Sequence, residues 1–286
     1  MAVNLPVMMQ AQQRIFGSMP EPANPAHESS PFYSALERAL KLRGKAIEDI
    51  CPPDDLIARR VLHDYGAIFV AHEAVVTPPR CVFRDEDAVT HFQKAAGRAT
   101  ATIGDGLIEL QPAAMTALLR ARAAARDEGL DITPRDGAEA ARRSYADTVR
   151  LWNSRFFPAL DHWIRAGRLT QPETETLRVL PTNQQVWAVL ELERDGIFFS
   201  KDFSKSVLYS IAAPGTSQHI AMLAFDANEF LDGRVRELFA ANGWFQTVLS
   251  DLPHFTFLGL QETELPARGL KQVAVHGQTF WIPDVA

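Results

Sequence analysis

Two histidines close to carboxylates are the residues of this 286-residue chain whose types and spacing suit metal chemistry. His219 is followed by Asp226 in the apolar segment SQHIAMLAFD, and His254 is preceded by Asp251 in the segment DLPH. A catalytic zinc site uses three protein ligands and leaves a fourth position open for water. His219, Asp226 and His254 would supply such a set. The same spacing also fits a strand with one buried structural histidine and one capping aspartate, so spacing alone leaves both interpretations open.

Asp251 is the second aspartate of the two segments and is not part of this ligand set. It precedes His254 by three residues, so it would lie near the metal without binding it. A carboxylate in such a place can accept a proton from a metal-activated water. The histidines outside the two segments lie in an N-terminal arm or in helical, linker or turn contexts, which favours structural or solvated roles.

Apolar periodicity and turn residues predict the elements that must position these side chains. Pro112 opens a helix that ends near Gly129, and the segment LDIT predicts a short strand before the polar turn PRDG. Later strands are predicted at VWAVLELE, SVLYSIAAPG and QTFWIP. Because helices cluster early and strands late, the pattern favours the α+β class over a doubly wound sheet.

The segment from 217 to 226 resembles the SxHxxGxAxD motif of the VanY-type D-alanyl-D-alanine carboxypeptidases. These are zinc peptidases with the Hedgehog/DD-peptidase fold. Four positions match the motif: Ser217, His219, Ala224 and Asp226. Met222 stands where the family has a glycine.

Two further elements carry the resemblance, in the family's order. The second motif ends in an acid, two residues and a histidine, and Asp251 and His254 match it. VanY-type members usually have Glu, Pro and Trp before that histidine, whereas DLPH is more like the L-alanyl-D-glutamate endopeptidases of the same superfamily. The third element, RRSY, resembles the SGYRSY turn, with matches at Arg143, Ser144 and Tyr145.

The resemblance implies a role for each matched residue. It makes His219, Asp226 and His254 the ligands of a Zn²⁺ ion and Asp251 the general base. Arg143 would stabilise charge on the substrate or the transition state, although Arg142 beside it could take that role. Ser217, Ser144 and Tyr145 would contact the metal ligands or the substrate.

The implied protein is a zinc metallopeptidase that hydrolyses amide bonds in peptidoglycan stem peptides or muropeptides. The D-Ala–D-Ala bond is the expected target. Two alternatives stay open: an L-Ala–D-Glu endopeptidase, favoured by DLPH, and a non-catalytic module that binds cell-wall peptides. Met222 and a long segment between Arg143 and Ser217 support the second alternative, whereas a complete ligand set with a base opposes it.

Sequence order suggests a division of the chain. We expect a flexible arm over residues 1–31, a mostly helical region over 32–100 and the peptidase domain over 101–286. The resemblance implies a Hedgehog/DD-peptidase-like antiparallel sheet core for that domain. An added segment at about 152–210 would pack around its tryptophans. We expect it to border the site, with a stabilising insertion away from the site as the alternative. Cys51 and Cys81 lie outside CxxC spacing, so a disulfide and two reduced thiols are both open.

Composition excludes some classes of partner. The net charge is -6 and the isoelectric point is about 5.8, so the chain lacks the basic footprint of a nucleic-acid-binding protein. No apolar run approaches the roughly 18–20 residues of a membrane span. The N-terminus lacks the basic and apolar regions of a secretory signal. We expect a periplasmic or extracellular location after loss of a signal, with a cytoplasmic location as the alternative.

Overall fold

Caps and prolines mark where helices begin in the computed structural model, which describes residues 30–52 and 55–286. The Ser30 and Asp85 side chains each accept a backbone N–H from the first turn of the helix that follows. Pro112 occupies the first turn of another helix, where its missing N–H costs no hydrogen bond. These local signals fix the starts of helices that lie before the candidate site in the sequence.

The described residues form an α+β structure, as predicted. The helices are α1 (Pro31–Leu42), α2 (Ile47–Ile50), α3 (Leu56–Tyr65), α4 (Glu86–Ala96), α5 (Pro112–Asp127), α6 (Tyr145–Arg165), α7 (Gln171–Val179), α8 (Thr182–Arg194) and α9 (Gly233–Ala241). The strands are β1 (Ala99–Ile103), β2 (Gly106–Leu110), β3 (Ala224–Asp226), β4 (Trp244–Phe245), β5 (His254–Phe257), β6 (Leu270–Val275) and β7 (Gln278–Pro283). Among these helices, none is both long enough and apolar enough to cross a membrane.

The chain divides into two compact units. Residues 145–215 form one unit, and the described residues of 30–144 and 216–286 form the other. The helices before residue 100 therefore share a unit with His219, Asp226 and His254. The predicted arm lies outside the described residues except for its last two, which cap and open α1.

A three-stranded antiparallel sheet with the order β3-β5-β4 lies in the larger unit, and all of its strand residues are buried. In its register, Asp226 pairs with His254 and Phe225 pairs with Phe255. The Phe255 ring stacks on Phe239 of α9 with centroids 4.2 Å apart. Because strand side chains alternate between faces, this aromatic packing fixes which face carries Asp226 and His254. Two hairpins, β1-β2 and β6-β7, complete the strands of this unit in the described part of the chain.

The unit of residues 145–215 is helical, and two strand predictions fall in it. VWAVLELE lies in helix α8, because its buried Val186, Val189 and Leu192 recur every three residues and form one helical face. SVLYSIAAPG contains a short 3₁₀ turn at Val207–Tyr209 instead of a strand. Both predictions were wrong. In VWAVLELE, the preference of valine for strands was given more weight than the helical spacing of the buried residues.

Two smaller expectations also meet the structure. LDIT forms no strand, and the next residue, Pro134, makes an isolated antiparallel bridge to Ala227 at the end of β3. Cys51 and Cys81 are both buried free thiols. Burial, and then the influence of Cys51, raise the pKa of the Cys81 thiol.

The close approach of Gly243 and Gly259 yields a stability prediction. Gly243 has φ of +79°, and a Cβ there would lie 3.0 Å from the Gly259 Cα. Gly104 also has a positive φ, but a Cβ there would meet nothing within 4 Å. Both alanine variants pay about 1–2 kcal/mol for a left-handed backbone. Gly243→Ala should lower the free energy of unfolding by about 1–2 kcal/mol more, because it also overpacks the end of the β4–β5 pair.

Urea denaturation of the two alanine variants measures this difference. Equal losses for Gly243→Ala and Gly104→Ala would show that the close backbone approach has no energetic consequence.

Candidate metal centre

The β3–β5 register places Asp226 and His254 directly opposite each other. Asp226 is the last residue of β3 and His254 is the first residue of β5, so both lie at one end of the ladder. The His254 Nδ1 lies 3.0 Å from Asp226 Oδ1. Two of the three predicted ligands therefore meet through sheet pairing.

His219 reaches the same point from the 3₁₀ turn Gln218–Ala221 that precedes β3. Ser217 caps this turn, and its hydroxyl accepts the His219 backbone N–H at 3.4 Å. Met222 then has φ of 55°, in the left-handed region that favours glycine, and ends the turn. The glycine of the resembling motif would relieve strain at this position.

The three side chains converge in a buried group. His219 Nε2 lies 3.2 Å from His254 Nδ1 and 3.3 Å from Asp226 Oδ2. One ligand atom from each residue lies within 4.8 Å of the other two. All three residues are buried, with relative exposures of 1%, 7% and 4% for His219, Asp226 and His254.

In each histidine, the ring nitrogen that does not contact Asp226, here called the outer nitrogen, lies close to an oxygen atom. His219 Nδ1 lies 3.2 Å from the Ala141 carbonyl, which can only accept, so this nitrogen carries the proton. His254 Nε2 lies 2.8 Å from Gln218 Oε1. The inner nitrogens can then point lone pairs at the Asp226 carboxylate, with no donor between them. Such a group can hold a cation, and its nitrogen and oxygen donors fit a divalent metal ion.

Burial shapes the protonation of these ligands. Burial, and then the positive charge of Arg143, lower the pKa of His219 to about 4, so its imidazole is neutral at neutral pH. Arg143 Nη2 donates to Asp226 Oδ2 at 3.0 Å, and this ion pair favours the ionised form of the buried carboxylate. A neutral imidazole and an ionised carboxylate are the forms that bind metals.

Asp251 lies in the turn before β5. It is half-buried, and its carbonyl accepts the His254 backbone N–H at 3.2 Å. Burial, and then repulsion from Asp226, raise the pKa of the Asp251 carboxyl. A raised pKa makes this carboxylate a stronger proton acceptor than an ordinary surface aspartate.

The two arginines of the RRSY segment point to different partners. Arg143 Nη2 donates to Asp226 Oδ2 at 3.0 Å, and its backbone N–H donates to the His219 carbonyl at 3.3 Å. Arg142 instead donates to Gln93 Oε1 at 2.7 Å and forms an ion pair with Glu109 at 3.1 Å. Arg143 is therefore the arginine in contact with the ligand group.

The last two RRSY residues lie on either side of the boundary between the units. Ser144 is half-buried and follows Arg143 in the larger unit. Tyr145 is half-buried, begins helix α6 and belongs to the unit of residues 145–215. The predicted place of the segment 152–210 beside the site stays a prediction.

Sequence reasoning missed Gln218 and the Ala141 carbonyl, which hold the outer nitrogens of the two histidines. Gln218 lies within the recognised motif, between Ser217 and His219, but at one of its variable positions. Its partners lie at residues 65, 254 and 256, so no local spacing could indicate its role.

A scan against protein-family models finds no match to this chain, and a search of curated proteins finds none either.

The ligand group predicts binding of one divalent metal ion per chain. Asp226→Asn replaces a carboxylate with a neutral amide, a poorer ligand for a dication, and His219→Ala removes a nitrogen donor. Each should weaken Zn²⁺ binding by more than about tenfold, since loss of even an outer-shell partner costs 10–100-fold. Isothermal titration calorimetry measures the affinity.

His91→Ala is the matched control for the two ligand variants, because His91 is an exposed histidine on α4. Wild-type affinity in the His219→Ala variant, or an equal loss in the His91→Ala variant, would contradict the assignment of the ligands.

Proposed function

We propose that the protein is a zinc-dependent peptidase that hydrolyses amide bonds in peptidoglycan peptides, with D-Ala–D-Ala as the preferred bond. The observation that carries the proposal is the buried convergence of His219 Nε2, His254 Nδ1 and the Asp226 carboxylate. These three residues would hold the zinc. The order of the three motif elements supports a Hedgehog/DD-peptidase-like fold for the larger unit.

A bound zinc ion polarises a carbonyl group and lowers the pKa of a water molecule. Asp251 supplies the proton acceptor for that chemistry. Its raised pKa lets it take a proton from the attacking water and then pass the proton to the leaving amine. This exchange breaks one C–N bond, forms one C–O bond and leaves Asp251 unchanged.

Arg143 has two tasks in this mechanism. Its contact with Asp226 holds the ligand carboxylate, and that carboxylate is almost fully buried. Its positive charge also lies beside the metal ligands, where it can offset negative charge that develops on the substrate carbonyl oxygen or on a terminal carboxylate. Charge fixed in place before the reaction is worth several kcal/mol in a site with little water.

The DLPH segment favours a second candidate, an L-Ala–D-Glu endopeptidase, because an aspartate here matches the base of that group. Digestion of defined muropeptides, followed by mass spectrometry, distinguishes the two. Loss of a terminal alanine supports the carboxypeptidase, and cleavage between L-Ala and D-Glu supports the endopeptidase. Intact muropeptides under zinc saturation would contradict both enzymes and favour a binding module.

Asp251→Asn separates proton transfer from metal binding. The variant keeps the three ligands but loses the proton acceptor, so zinc affinity should stay within about threefold of wild type while kcat falls by about 10²–10⁴. Asp251→Glu restores an acid with one more methylene and should keep partial activity. Zinc titration and muropeptide hydrolysis measure the two effects.

Asp105→Asn, at an exposed turn, is the control for the loss of a carboxylate. Full hydrolysis by Asp251→Asn would show that another group accepts the proton.

The neighbouring arginines provide a paired test. Arg143→Gln removes the charge in contact with Asp226, and we expect kcat to fall by about 10²–10³. Arg142→Gln removes a charge that pairs with Glu109, and kcat should fall by less than about tenfold. Steady-state kinetics on the zinc-loaded proteins decide between them, and the reverse order of effects would assign the catalytic charge to Arg142.

A further inference from the structure

A short segment, residues 133–135, pairs with the end of β3 on the side opposite to β5. Pro134 and Ala227 form an antiparallel bridge there, and the Arg135 backbone N–H donates to the Asp226 carbonyl at 2.8 Å. The backbone of Arg135 is therefore fixed beside a predicted metal ligand.

Side chains strengthen this pairing. The Glu229 carboxylate accepts the Thr133 backbone N–H at 2.8 Å, and the Asn228 side-chain amide donates to the Pro134 carbonyl at 3.0 Å. The segment that carries Arg135 is thus held by backbone and side-chain bonds to the residues that follow β3.

The bridge decides the direction in which Arg135 projects. Because Pro134 lies opposite Ala227, Arg135 lies opposite Asp226. Residues directly opposite each other in an antiparallel pair project to the same face. His254 lies opposite Asp226 on the other side of β3. Arg135, Asp226 and His254 therefore form one row across three chain segments, on the face that carries the ligands.

The Arg135 side chain is exposed, and its guanidinium carbon lies 5.6 Å from the centroid of the Phe230 ring. Arg143 is paired with Asp226, whereas Arg135 forms no ion pair with any residue that the structure describes. Its charge nevertheless acts on the site. Burial, and then Asp226, raise the pKa of the Asp251 carboxyl, and Arg135 is among the charges that oppose this rise.

An exposed guanidinium with free donors suits a carboxylate, which it can bind through two parallel hydrogen bonds. Neighbouring strands lie about 4.7–4.9 Å apart, so the Arg135 backbone lies about one strand spacing beyond Asp226. One residue of an extended peptide spans about 3.3–3.6 Å. With the scissile carbonyl beside the ligand group, a carboxylate one residue further along the peptide lies within reach of the Arg135 side chain.

We propose that Arg135 binds the C-terminal carboxylate of the peptide substrate and makes the site specific for removal of the last residue. The inference rests on the proposed function and deepens it, because it assigns the two cations near the ligands to different substrate groups. Arg143, which already pairs with Asp226, is left for the carbonyl oxygen of the scissile bond.

Two forms of one peptide test this contact: acetylated L-Lys-D-Ala-D-Ala with a free carboxylate, and the same peptide as its C-terminal amide. Calorimetry on the metal-free proteins measures binding without hydrolysis. The wild type should bind the acid about tenfold more tightly, because the amide cannot form a charge-assisted bidentate pair. Arg135→Gln should bind both forms equally. Arg135→Lys should keep part of the preference, because it keeps the charge without the planar fork.

Arg120→Gln is the matched control, because Arg120 is an exposed arginine on α5 of the same unit. It should retain the wild-type preference for the acid. Equal affinities of the two peptides for the wild type overturn the proposal, as does a failure of both to bind. A wild-type preference in Arg135→Gln, or an equal loss in Arg120→Gln, overturns it too.

Hydrolysis of the acid peptide by the zinc-loaded proteins provides a second readout. Arg135→Gln should raise KM by about tenfold and change kcat by less than about threefold, because it removes a contact made before the chemical step. A loss confined to kcat would overturn the proposal. An acid preference that depends on Arg135, without any hydrolysis, would leave the carboxylate contact standing and refute the peptidase function alone.

Discussion

The pairing of Asp226 with His254 across β3 and β5 is the constraint on which the site depends. A slip of one residue would move one of the two side chains to the opposite face of the sheet. The neighbouring pair, Phe225 and Phe255, faces the other way and packs against Phe239 and Trp244. Aromatic burial on one face thus fixes the geometry of polar groups on the other. His219 lies in the capped turn before β3, and this turn places its side chain next to Asp226 and His254.

Burial gives this cluster its chemical character. Two imidazoles and a carboxylate would be costly to bury without partners. The structure supplies partners through Ala141, Gln218 and Arg143, and it brings His219 Nε2, His254 Nδ1 and the Asp226 carboxylate to within 3.0–3.3 Å of one another. That arrangement stabilises a bound cation more than an empty pocket. Burial also raises the pKa of the Asp251 carboxyl, as the proposed role of Asp251 as a proton acceptor requires.

Local spacing suggested His219, Asp226 and His254 as one possible ligand set but left a structural interpretation open, and the resemblance to a motif in two short segments singled them out. The structure brings these three side chains together. The α+β class followed from the order of the elements. Spacing could not separate Arg142 from Arg143, since adjacent residues differ only in where the folded backbone points them. It also could not find Gln218, whose partners are remote in sequence. The strand predicted at VWAVLELE failed because valine content was given more weight than the three-residue recurrence of buried positions.

The central claim is that the two histidines and Asp226 bind one metal ion together. X-ray absorption at the zinc edge, on protein loaded with one equivalent of Zn²⁺, tests it most directly because it identifies the ligand atoms. The account predicts a first shell of nitrogen and oxygen at about 2.0–2.2 Å, with scattering from two imidazole rings that falls to one ring in His254→Ala. A shell with sulfur at about 2.3 Å, from Cys51 or Cys81, or a shell without imidazole would contradict it.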